Sequence, residues 1–185
     1  MSRAQRSADR LCRNQPPSRL LASRLLASCL LASSLWGCPD AEPDPDAGPY
    51  VPMGEARIEI GTGSSEFVPL LADSSLELVA GTQGGWHVDV SLAIYGLTAD
   101  DLLIRIEGYD DATGAAIAVP VERVLTPRRV VIDGDRLLRL GDRLIFTITA
   151  PDQVIGKRLR IEVIATPLEG APVTASTTQL IVDER

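Results

Sequence analysis

The chain is 185 residues long with a formal charge of -7, and that charge is unevenly spread: the first 37 residues hold six arginines against one acid, so residues 38 to 185 carry -12. A body that acidic is repelled by phosphate backbones, which excludes nucleic-acid binding through a basic face. All three cysteines, Cys12, Cys29 and Cys38, lie in the first 38 residues, so the body has no disulfide and no thiolate metal site, and no cofactor is expected.

The arginine-rich start leads into Leu25–Trp36, an apolar run of 12 residues bounded by Arg24. A membrane-spanning helix needs about 20 apolar residues, so this run has the length of an export-signal core. Residues 1–37 are therefore expected to be a signal peptide. Leu35-Trp36-Gly37-Cys38 resembles the lipobox of bacterial prolipoproteins, with an aliphatic residue three before the cysteine and a small one just before it. Trp36 departs from the pattern, which has a small or β-branched residue there. Leu26-Ala27-Ser28-Cys29 fits the four-residue pattern, but further apolar sequence follows it, whereas a polar spacer follows Cys38. Cys38 is the expected site of lipidation. The resemblance implies transfer of diacylglycerol to its thiol and cleavage after Gly37, giving a protein held on a membrane by its acyl chains. It also implies a destination. An aspartate directly after the lipidated cysteine would retain such a protein in the inner membrane, and Pro39 stands there instead, so the outer membrane is expected, with the domain facing the periplasm or the outside.

Residues 38–54 read as a tether. Between Pro39 and Pro49 there are four prolines and four acids in eleven residues, which gives an extended path of about 3.1 Å per residue, stiffened by like charges. Its carboxylates would lie along a rod, whereas calcium needs six to eight oxygens closing around it.

From residue 55 onward the pattern changes to short runs of period two. Val88, Val90, Leu92 and Ile94 alternate with Asp89, Ser91 and Ala93, which predicts a half-buried strand. The same alternation predicts strands over 102–107, 144–149 and 159–165, and shorter runs over 58–60, 76–79, 117–121, 130–132 and 178–182. Glycine- and aspartate-rich turns separate them, as at Gly81–Gly85 and Asp133–Asp135. The expected fold is all-β: an antiparallel, immunoglobulin-like sandwich of about seven to nine strands over residues 55–185. It resembles immunoglobulin-like and fibronectin type III-like modules in layout only, since the cysteine pair of true immunoglobulin domains is missing.

His87 is the only histidine, so a Ser-His-Asp triad would have to use it, yet no serine stands in a Gly-x-Ser-x-Gly context. The expectation is a strand residue at the sheet surface, and no catalytic group or metal ligand is assigned. Asp100-Asp101, Asp110-Asp111, Asp133, Asp135 and Asp152 lack the EF-hand spacing and read as turn formers. Trp86, after Gly84-Gly85, is expected to cap the core, or else to stack on a sugar or anchor a protein partner. With His87, Tyr95 and Tyr109 it makes a candidate binding surface. The expected function is a non-catalytic, envelope-anchored binding or structural module for a protein or glycan partner. A hydrolase or carbohydrate-active accessory domain is the alternative, favoured by a concave polar pocket around His87.

Overall fold

The computed structural model describes residues 50–183 apart from 73 and 83; the expected signal peptide, Cys38 and the expected tether up to residue 49 lie outside the described residues. Ten strands are formed: β1 (Arg57–Thr62), β2 (Val68–Pro69), β3 (Ser75–Ala80), β4 (Trp86–Tyr95), β5 (Leu102–Asp110), β6 (Val121–Leu125), β7 (Val131–Asp133), β8 (Arg136–Ile145), β9 (Arg158–Thr166) and β10 (Val173–Asp183). Two single 3-10 turns, Pro127–Arg129 and Pro151–Gln153, are the only helical segments among the described residues. The domain is all-β, as expected.

The pairing departs from the expected all-antiparallel arrangement in one place. Eight of the nine strand pairs among the described residues are antiparallel, and β3 runs parallel to β10. The cause is a strand that changes partners along its length. Ser75–Leu78 pair with β10, while Val79 and Ala80 pair with the start of β4. The sheet is therefore continuous and curled, with β2-β1-β4-β8-β7 in one arm and β10-β9-β5-β6 in the other, joined through β3. The inner faces of both arms meet in one apolar cluster containing Leu76, Leu92, Ile104, Leu144, Leu159 and Ile181, each at most 1% exposed. Burying such a side chain contributes roughly 1.5–3 kcal/mol, so this cluster is the principal source of stability. On the side away from β3, Asp142 of β8 is gripped by Arg139 and approached by Arg123 of β6, which links the two arms again.

Several expected elements shift. The run 117–121 is no strand; only Ala118 makes a bridge there, to Phe146, and β6 begins after Pro120, which has no N–H to donate to a ladder. The strand expected over 144–149 instead occupies Arg136–Ile145. Beyond Ile145 the chain turns toward residues 117–118, with the Thr147 N–H donating to the Ile117 carbonyl. The strand expected over 178–182 begins earlier, at Val173.

The outer face of β4, expected to be exposed, is covered. Ala93, Tyr95 and Leu138 form a second small cluster with Phe67 and Leu140. Gly61 makes room for this: a Cβ there would come within 2.4 Å of the Phe67 ring. Ser91, fully buried, ties the cover down. Its hydroxyl donates to the Gly63 carbonyl at 2.6 Å and accepts the Gly141 N–H at 3.0 Å. Gly141 has φ +66° and sits where the β4–β8 register shifts between Val90 and Leu92, so one hydroxyl secures both the bulge and the loop after β1. Ser91→Ala leaves a part-buried donor and a part-buried acceptor without the hydroxyl and is expected to lower stability by about 1–2 kcal/mol. Urea unfolding checks this through the midpoint at constant slope; a change within about 0.5 kcal/mol, the usual range for neutral surface substitutions, would mean that water replaces the hydroxyl.

Candidate functional site

The ends of the curled sheet are chemically distinct. At one end lie the β4–β5 connection and the β7–β8 turn, and here the chain comes in, with the Tyr50 hydroxyl donating to the Asp135 carbonyl at 3.3 Å. At the other end lie the β3–β4 turn, Gly81–Gly85, and the connections that follow β5 and β8. The candidate site is at this second end.

Its base is the opening pair of residues of β4. Trp86 pairs with Ala80 and His87 with Val79 on one side, and His87 pairs with Ile145 of β8 on the other. Trp86 points to the inner face and is half-buried against the main core, which is the capping role expected of it. His87 points to the outer face. Because the strand starts here, a hollow of about 240 Å³ lies at its end, lined among the described residues by Trp86 and His87 together with Gly81, Thr82, Gly84, Gly85, Arg143 and Ile145. The turn is closed by the Gly81 N–H donating to the Gly85 carbonyl at 2.9 Å and the Gly84 N–H to the Gly81 carbonyl at 3.0 Å. Gly84 and Gly85 have φ +88° and +85°, a conformation side chains rarely adopt.

His87, expected at the sheet surface, is only 7% exposed. Flanked by Val79 and Ile145, it forms no hydrogen bond with any described residue. Among the described residues it approaches the carboxylate of Asp89, with Nε2 3.7 Å from Oδ1. Asp89 itself opens into a second hollow of about 330 Å³, lined also by Thr62, Ser64, Ser75 and Glu77. That hollow exists because β1 and β3 share one edge of β4: β1 pairs no further than Ser91 and β3 begins at His87. The Thr62 hydroxyl donates to the Asp89 carbonyl at 2.9 Å in the gap.

The four residues of the candidate surface do not come together. Trp86 and His87 share the hollow, while Tyr95 is at the far end of β4, nine residues or about 30 Å away. Tyr95 is 7% exposed and lies beneath Arg57, whose guanidinium carbon is 3.5 Å from the ring centroid. Tyr109 is on the outer face of the other arm. It donates to Glu107 at 2.9 Å and lies 4.7 Å beneath Arg160. Arg105 in turn bonds both Glu107 and Glu122, and with Tyr109 it holds Glu107 below the usual carboxylate range. That face satisfies its own charges and offers no aromatic platform.

The aspartates behave as turn formers where the bonds show it. Asp110 Oδ1 accepts the N–H groups of Ala112 and Thr113 at 3.0 and 3.2 Å. Burial raises its pKa, but these amides and Lys157 outweigh that and leave it below the ordinary value. Among the described residues no group of three or more His, Cys, Asp or Glu side chains is placed to hold a metal ion. The concave pocket around His87 does exist, but the one hydroxyl among its described lining residues is that of Thr82 on the exposed turn. The Ser91 hydroxyl is engaged with Gly63 and Gly141.

Arg143 and Ile145, which close the hollow, are not foreshadowed in the sequence. Their position follows from the β4–β8 register, which pairs Asp89 with Arg143 and His87 with Ile145. Comparison with protein-family models, with curated proteins and with solved structures finds no match to the chain in any of the three.

Proposed function

We propose that this is an envelope-anchored lipoprotein whose β domain is a non-catalytic binding module. Acyl chains on Cys38 hold it to a membrane, the outer membrane by the residue at position 39, and the proline- and acid-rich tether spaces it from the lipid. The observation that carries the binding reading is the polarity of the domain: the chain comes in beside Asp135, whereas the hollow with Trp86 and His87 lies at the opposite end. A membrane-tethered domain so arranged presents that hollow outward, toward a protein or glycan of the envelope. We read the layout as immunoglobulin-like: β4, β8 and β7 face β10, β9, β5 and β6, with strand pairs on both sides of one core.

The hydrolase alternative has one feature in its favour, the approach of His87 to Asp89. Among the described residues Ser64 and Ser75 line the hollow of Asp89 and not that of His87, where Thr82 is the one hydroxyl, so no serine shares a hollow with both groups and the binding reading is preferred. The test is affinity capture of the full lipidated protein from detergent-solubilised envelopes, compared with an Arg143→Asp variant. An envelope component retained by the first and lost from the second supports the module. Equal retention by both would move the binding surface elsewhere, and turnover of an envelope glycan or ester by the purified protein would replace the module with an enzyme.

A further inference from the structure

We infer that the end of the domain where the chain comes in rests on a phospholipid surface, with Val51, Met53, Val131 and Ile132 entering the headgroup layer and Arg128 and Arg129 bonding its phosphates. The inference goes beyond the binding-module reading and rests on the lipid anchor in it.

The first observation is β7. Val131 and Ile132 are consecutive, so they point to opposite faces of the strand, yet each is 54% exposed. The strand pairs with β8 alone among the described strands and reaches past the core. The second is the entry of the chain. The Tyr50 hydroxyl reaches the Asp135 carbonyl in the β7–β8 turn. A Cβ on Gly96, which follows the Tyr95–Arg136 rung, would come within 2.9 Å of the backbone of Glu55 and Ala56. Residues 51–54 are thereby held at the same end, and there Val51 and Met53 are 67% and 65% exposed. Single apolar side chains scattered over a surface need no explanation, but four large ones gathered at one end mark a contact surface.

The third observation is charge. Residues 127–140 hold four arginines against two aspartates, in a body that is otherwise acidic. Arg136 takes up Asp133 and Arg139 takes up Asp142, whereas no ion pair among the described residues involves Arg128 or Arg129. Both are exposed, in the 3-10 turn just before β7. With Val131, Leu138 and Leu140 they line a hollow of about 330 Å³, so cationic and apolar groups stand side by side. One N–H of Arg129 donates to the Val124 carbonyl at 3.3 Å, which makes Arg128 the principal ligand. A guanidinium meets a phosphate through two parallel bonds, and a face that joins basic to apolar side chains suits the headgroup layer. An acidic peptide would satisfy the arginines and leave the four apolar side chains in water. Because the body as a whole carries -12, the fitting surface is a zwitterionic one, which offers phosphates without net negative charge. This contact is weaker than one acyl chain, which itself holds only reversibly, so it orients a protein that Cys38 already retains. Docked in this way, the hollow of Trp86 and His87 points away from the lipid.

The sequence supplies the probe. All three cysteines lie in the first 38 residues, so in the lipidated protein Asp135→Cys carries the one free thiol and leaves the apolar side chains in place. Asp152→Cys, exposed in the connection after β8 at the opposite end, is the control. Each is labelled with nitrobenzoxadiazole and the protein is reconstituted into phosphatidylcholine vesicles containing doxyl-labelled lipid. The label at 135 is expected to shift to the blue and be quenched, and the label at 152 to do neither. Arg128→Glu with Val131→Asp, both at exposed positions, should lower the ratio of docked to free domain by at least about fivefold, with attachment through Cys38 and the unfolding midpoint unchanged. Three results would overturn the inference: no quenching at 135, equal quenching at 135 and 152, or quenching at 135 unaltered by the double substitution. Attachment at low lipid reports the anchor separately. If Cys38 carries no lipid, the lipoprotein reading fails, and the same labels read at millimolar lipid decide the docking surface by the same three results.

Discussion

Cys38→Ala is expected to move the protein from the membrane fraction to the soluble fraction, or to stall it as a precursor still carrying its signal peptide. At about 0.8 kcal/mol per buried methylene, one acyl chain gives marginal, reversible attachment and two give stable attachment. The thiol is the point through which diacylglycerol would bring both. Residues 38 to 185 carry -12, which is repelled by anionic lipid, and no helix among the described residues is long and apolar enough to cross a membrane. Labelled fatty acid and detergent phase partitioning are the measurements. Retention of label and of detergent partitioning by the variant would exclude Cys38, and loss of both on Cys29→Ala would assign the role to that cysteine.

How much of the domain is legible in the sequence depends on how many faces each strand hides. In β5 and β9 the fully buried residues take every second place, with more exposed ones between, because only one face meets the core; Leu102, Ile104 and Ile106 in β5 and Leu159, Ile161 and Val163 in β9 are that period itself. In β8 both faces are used. Leu137 enters the main core while Leu138 joins the outer cluster, and Gly141 at the bulge breaks the alternation halfway. A strand with apolar residues on both faces reads as irregular. The first half of β10 is hidden for a different reason, since Thr174, Ala175 and Ser176 carry little apolar surface and are held by their ladder to β9.

The site divides in the same way. The glycine turn and Trp86 are local features, and their proximity to His87 is guaranteed by adjacency in the chain. Arg143 and Ile145 reach the hollow only through a register chosen between strands about fifty residues apart, a long-range outcome that one sequence does not encode visibly. Tyr95 and Tyr109 share only their residue type with the aromatic at the hollow. Each lies under an arginine, Arg57 or Arg160, on a different arm of the sheet.

The second large effect is expected from Arg139→Met. Asp142 faces inward from β8, with its side chain 2% exposed, and Arg139 holds it in a fork with distances of 2.9 and 2.7 Å to the two carboxylate oxygens. That pairing raises the Arg139 pKa above its ordinary value, the hydrogen bonds to Asp142 being the main cause. Arg123 stands farther off, at 3.7 Å, on a side chain that is 47% exposed. Removing Arg139 therefore leaves a buried carboxylate with one distant, solvated partner, a situation that costs about 3–5 kcal/mol in other buried pairs. Arg123→Ala should cost no more than about 1 kcal/mol, as exposed ion pairs do. The decisive comparison is the double variant Arg139→Met with Asp142→Leu. If the loss comes from stranding a charge between the arms, removing the charge as well should recover most of it, since an apolar pair can fill the same space. Urea midpoints for the single and double variants supply the cycle. A double variant as unstable as Arg139→Met alone would show that the stabilising role lies in the packing of the arginine stem and its bond to the Arg129 carbonyl, not in the pairing of Asp142.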